Sequence, residues 1–102
     1  MIDIDMINDK PIEIKLKGEV VKVKQPTFYL AKKVRSYEKN IDDLSEDEIY
    51  KKQSNILIDF LNNNTTNKKF NDKDIDNISF NSIKALYKEL IKAILGAEED
   101  PK

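Results

Sequence analysis

The chain has 102 residues, 39% hydrophobic and 36% charged, with Lys+Arg 18 against Asp+Glu 19 and a formal net charge of -1. That size fits one domain with a modest core, and the balanced charge argues against tight, non-specific binding to nucleic acid. Cys 0, His 0 and Gly 2 remove the best zinc ligands, thiol nucleophiles, disulfides, the usual near-neutral acid/base residue and Gly-rich phosphate loops.

The N-terminus, Met1-Ile2-Asp3-Ile4-Asp5, is acidic and alternating, unlike a signal peptide. No apolar run approaches the ~20 residues that span a bilayer, so the expected location is the cytoplasm, with no membrane partner. Ile2, Ile4 and Met6, then Ile12, Ile14 and Leu16, then Val21 and Val23 alternate with charged residues. Period-two patterning of this kind marks half-buried strands. Asn8-Asp9-Lys10 and Gly18-Glu19 supply turn chemistry between the runs. The expectation is an antiparallel hairpin or three-stranded meander over residues 1–25, with one apolar face that something must cover.

After Gln25-Pro26 the period becomes helical, with Thr27 as cap and Phe28, Leu30, Ala31, Val34 and Tyr37 or Glu38 at helical spacing, running to about Lys39. A second helix starts at Ser45-Glu46-Asp47-Glu48, a capping-box pattern, and carries Ile49, Gln53, Ile56, Leu57, Phe60 and Leu61 before stopping near Asn62. The polar stretch from Asn62 to Lys69 has no apolar driving force and is expected to be a mobile loop. Phe70 anchors the chain again, and Asn71-Asp72-Lys73-Asp74 can cap a short turn carrying Ile75 and Ile78. Ser79 caps the last helix, whose stripe is Phe80, Ile83, Leu86, Tyr87, Leu90, Ile91, Ile94 and Leu95, with Gly96 as its stop. The fold class is therefore α+β: a hairpin or meander, a helical body over residues 27–96 with three main helices, and an acidic tail over 97–102, all in one domain.

Candidate sites are few. Asp72-x-Asp74-x-Asp76 resembles the start of a calcium loop, but Asn77 and Ile83 stand where the Gly and the bidentate Glu are needed. A capped, acid-rich helix start explains it better, and no metal ligand is assigned. The acid pairs Asp42/Asp43 and Glu46/Glu48 lie in loop or capping contexts without an apolar pocket. No catalytic residue and no cofactor are assigned, and the chain reads as a non-enzyme. Lys15, Lys17, Lys22, Lys24, Lys32, Lys33, Arg35 and Lys39 make residues 10–39 basic. Such lysines commonly guard sheet edges; the functional alternative is a docking patch for an acidic partner. The apolar segments exceed what one sheet and two helices bury, which points to a groove or a self-association surface.

One layout carries a resemblance. A short N-terminal hairpin is followed by Pro26-Thr27-Phe28-Tyr29-Leu30, Ser45-Glu46-Asp47-Glu48-Ile49, Ile56-Leu57-Ile58-Asp59-Phe60-Leu61, Phe70-Asn71-Asp72-Lys73-Asp74-Ile75-Asp76 and a final amphipathic helix ending in Pro101-Lys102. Over nearly its full length this resembles the small tail assembly chaperones of long-tailed bacteriophages and prophages of Gram-positive hosts, in layout rather than in any single motif. The resemblance implies a chaperone that binds the tape measure protein in the host bacterial cytoplasm, keeps it soluble during tail assembly and self-associates. Many such genes also make a longer, frameshifted product. On this reading the client surface involves Tyr29, Leu57, Phe60, Leu90 and Ile94. Two other readings stand beside it: a small nucleic-acid-binding regulator or antitoxin-like module using the basic patch, and a virion structural connector.

Overall fold

The computed structural model describes residues 10–98 and shows an α+β chain, an antiparallel hairpin followed by helices. Strands β1 (Ile12–Leu16) and β2 (Glu19–Val23) pair with Ile12 opposite Val23 and Ile14 opposite Val21. The two-residue period sends these apolar residues to one face, while Glu13 and Lys22 pair with opposite charge on the other. The turn is Lys17-Gly18, one residue earlier than the Gly18-Glu19 turn expected from the sequence. Its central residues have φ 51° and 81°, the positive values that a two-residue hairpin turn demands and that glycine adopts without a Cβ penalty. The run Ile2, Ile4, Met6, which the meander alternative would use as a third strand, lies outside the described residues.

Helix α1 (Phe28–Lys39) starts at Thr27, whose Oγ1 accepts from the Leu30 N–H at 3.1 Å. A 3-10 turn over Ile41–Asp43 leads to α2 (Glu46–Asn62). There the capping box is complete: Ser45 Oγ accepts from the Glu48 N–H, and Glu48 Oε1 accepts from the Ser45 N–H at 3.0 Å. The same reciprocal arrangement, Asn71 with Asp74, opens the one-turn helix α3 (Asp72–Asp76). Helix α4 (Phe80–Glu98) is capped by Ser79, which accepts from the Ser82 N–H. It does not stop at Gly96, as the sequence suggested. Nothing forces Gly96 into the left-handed conformation of a C-cap, and a glycine inside a helix costs only about 1 kcal/mol relative to alanine.

The stretch after α2 departs most from expectation. It takes a defined course because Asn64, 6% exposed, replaces missing backbone partners. Its Nδ2 donates to the carbonyls of Leu61 (2.8 Å) and Lys68 (2.9 Å). Its Oδ1 accepts from the Thr66 N–H, the Thr66 hydroxyl and the Lys68 N–H, each at 3.0 Å. Asn62 makes a second clamp, exchanging two hydrogen bonds with the backbone of Phe70. The loop is also stitched to the outer edge of β2, through Lys24 N–H to Asn63 C=O and Thr65 N–H to Lys22 C=O. A sheet edge is thereby covered without a full strand.

Helix α2 is the hub, touching α1, α3, α4 and β2. Ile56, Leu57, Phe60 and Leu61 are almost wholly buried and meet Ile14, Val21 and Val23 from the hairpin, Leu30 and Val34 from α1, and Leu86, Leu90 and Ile94 from α4. Each large side chain so buried contributes about 1.5–3 kcal/mol of hydrophobic stabilisation.

Candidate functional site

Helices α1 and α2 pack against each other, and an open groove of about 670 Å³ lies along their junction. The helices are joined at both levels of their contact. Lys33 Nζ reaches from α1 to Asp59 Oδ2 (2.6 Å) and Asn55 Oδ1 (2.7 Å) on α2. Gln53 Nε2 donates to the Tyr37 hydroxyl at 2.8 Å. Tyr37 also meets the edge of Tyr87 of α4, whose hydroxyl donates to Glu38 Oε2 at 3.1 Å. Burial and the neighbouring Glu38 carboxylate push the Tyr87 phenol well above its ordinary value, so it stays a neutral donor. The helix spacing is therefore fixed by side chains that are themselves held.

Tyr29, 64% exposed, and the half-buried Leu44 supply the accessible apolar part of the groove, above Tyr37 and Ile56, which are buried. The remaining lining is polar: Ser36, Asn40 and Asn55 with the lysines Lys32 and Lys33 on α1 and Lys51 and Lys52 on α2, and Glu48 as the only lining carboxylate among the described residues. Lysine stems extend such a surface while their ammonium groups stay in water. Just outside, Phe28 is 78% exposed, with Lys32 Nζ 4.9 Å from its ring centroid. Lys33 lies 5.8 Å from the Tyr29 ring. The first turn of α1 thus presents two aromatic rings to solvent, each covered in part by a lysine four residues on. Phe80 repeats the device at the start of α4, under Lys84.

The structure separates the five residues that the sequence assigned to a client surface. Tyr29 lies on the groove. Leu57, Phe60, Leu90 and Ile94 are sealed in the core and have no surface to offer a partner in the folded protomer. A helical stripe reports where apolar residues point, and α2 has neighbours on that side to receive them. The exposed surplus lies instead in Val20, Phe28, Tyr29, Tyr50, Phe80 and Leu95. Lys51 and Lys52 escaped the sequence reading; their signal was a lysine doublet on α2 matching Lys32-Lys33 on α1.

The other candidates resolve into structure. Asp74 closes its helix cap and Asp72 accepts from the Ser54 hydroxyl at 3.2 Å. Among the described residues no three carboxylates converge as a metal site. Asp42 and Asp43 are exposed on the 3-10 turn. Glu48 is held below its ordinary value of 4.5, chiefly by the Ser45 backbone N–H, which is the reverse of what a general acid near neutral pH requires. A smaller cleft of about 230 Å³ between the hairpin and Phe70 lies beside the Lys68–Glu19 ion pair at 2.6 Å. Among the described residues no helix is long and apolar enough to cross a membrane. No protein-family model, curated protein or solved structure matches the chain significantly.

Proposed function

We propose that this chain is a non-enzymatic tail assembly chaperone of the kind it resembles, which binds the tape measure protein in the host cytoplasm and keeps it soluble until the tail tube forms around it. The α1–α2 groove is the observation that carries the reading. A soluble partner of a sticky helical client needs an apolar seat and a charged rim, and the groove supplies Leu44 and the exposed Tyr29 ring beside a lysine rim. The exposed ring of Phe28 extends that seat beyond the groove. Self-association through exposed aromatic rings belongs to the same proposal.

A nucleic-acid-binding regulator is favoured by one feature, the four lysines of the groove. Its weakness is a chain of net charge -1, which exerts no long-range pull on a polyanion. Co-expression with the tape measure protein of the same phage separates the readings. The expected result is a client that moves from the insoluble to the soluble fraction and co-purifies with this chain. A client whose solubility is the same with and without it overturns the proposal.

A further inference from the structure

We infer that the α1–α2 groove selects an amphipathic helix whose apolar stripe is flanked on both sides by carboxylates. The inference rests on the reading of the groove as a polypeptide site and adds the chemistry of its occupant. Three observations carry it.

The first is the charge of the walls. Lys32 and Lys33 stand on the α1 side, Lys51 and Lys52 on the α2 side, against Glu48 as the one lining carboxylate among the described residues. The molecule as a whole is slightly acidic, so this is a local excess of positive charge, placed on both sides of an apolar floor. Lys33 is already engaged with Asp59 and Asn55. Lys32, Lys51 and Lys52 are exposed, and none of them has a carboxylate within ion-pair distance among the described residues.

The second is the backbone of the walls. Both are α-helices, whose interior N–H and C=O groups bond within the helix. An extended peptide would find no main-chain edge to pair with here, unlike at a sheet edge, whereas a helix satisfies its own backbone and needs only side-chain contacts. The third is the floor. Tyr29, 64% exposed, and the half-buried Leu44 offer apolar contact to Leu or Ile side chains, while Ile56 and Tyr37 beneath them are buried. A carboxylate-flanked helix meets all three conditions, and the oligonucleotide below tests whether the lysines and the Tyr29 ring take a phosphate polyanion instead.

The test uses the full chain and three fluorescent probes followed by anisotropy. Two are synthetic ~18-residue helices, five turns long, with the same leucine stripe, one flanked by Glu and the other by Lys. The third is a single-stranded oligonucleotide of the same charge as the Glu-flanked helix. The Glu-flanked helix should bind saturably and best. The Lys32→Glu/Lys51→Glu variant should weaken it about tenfold, two reversed surface pairs being worth roughly that factor. A Lys15→Glu/Lys24→Glu variant, with the same charge change on the hairpin outside the groove, should leave it within about twofold. All four lysines are exposed, so circular dichroism should show each variant folded. Equal binding of the Lys-flanked helix overturns the charge selection and leaves the groove as an apolar polypeptide site. Tighter binding of the oligonucleotide, lost in Lys32→Glu/Lys51→Glu, overturns the inference and the polypeptide reading together. No binding by any probe overturns the inference alone, because co-expression with the tape measure protein judges the chaperone reading independently.

Discussion

Asn64 is the one buried polar residue among those described. Its amide uses both donors and three acceptor contacts to close the turn after α2, and it does so 6% exposed. Buried polar groups are inexpensive when every bond is made and costly when one is lost. Asn64→Ala strands the Leu61 and Lys68 carbonyls and the Lys68 N–H together, and a cost of about 2–3 kcal/mol is expected. Urea denaturation should show the midpoint falling at unchanged slope. Thr65→Ala, one residue on, should stay within about 0.5 kcal/mol, because the Thr65 contact to the hairpin is made by its backbone N–H. A small effect at Asn64 would mean that the loop is held by its stitches to β2 instead. The composition of this stretch hides its role. Asn-rich and devoid of apolar residues, it reads as a segment without a reason to order, because composition counts hydrophobic driving force and is blind to an amide that imitates the backbone.

At the scale of elements, the helix starts were legible where the signal is local. Thr27, Ser45, Asn71 and Ser79 each cap the helix that follows, and the Ser45–Glu48 box forms as its spacing requires. That box has a pH signature. Hydrogen bonds from Ser45 hold the Glu48 carboxyl below 4.5 in the folded chain. A depressed carboxyl contributes stability above its unfolded value and loses it as pH falls through the folded one. Wild type should therefore exceed Glu48→Gln in thermal stability at neutral pH, keep that advantage down to about pH 4.5, and lose it below. A difference that is constant across the acid range would exclude the charge as its source. What the sequence could not place was everything set by a neighbouring element. Periodicity put Phe28 and Phe80 on apolar faces with Leu30 and Leu86, yet these rings sit at the first position of their helices, beyond the reach of the core. It likewise marked Leu57, Phe60, Leu90 and Ile94 as candidates for a partner, because a stripe does not say whether the partner belongs to the same chain. The groove itself was illegible for the same reason: it exists only at the junction of α1 and α2, which Lys33 and Gln53 set across the chain. Tyr29 and the lysines of α1 could be named; that Lys51 and Lys52 face them could not.

The molecule measures 47 × 35 × 19 Å. Its short dimension is about two helix diameters, so nearly every element keeps a face in water. A slab of this thickness has too little interior for all its aromatic residues, and the surplus lies on its surface in Phe28, Tyr29 and Phe80. Opposing association is a net charge of only -1 at pH 7, which vanishes near the sequence pI of about 5.5. Apolar attraction is nearly independent of pH, whereas charge repulsion is not. Self-association should therefore rise as pH approaches 5.5, where nothing offsets the exposed rings. Static light scattering should report a larger mean mass there than at about pH 8, where net charge is restored. Phe28→Ser/Phe80→Ser removes two exposed rings at a cost to folding of about 1 kcal/mol or less each, since neither is in the core and the lysine over each is a surface contact. That variant should keep the same mass at both pH values. If it associates as wild type does, the contact surface is not made of these aromatic rings, and the edge of the hairpin around Val20 becomes the surface to examine.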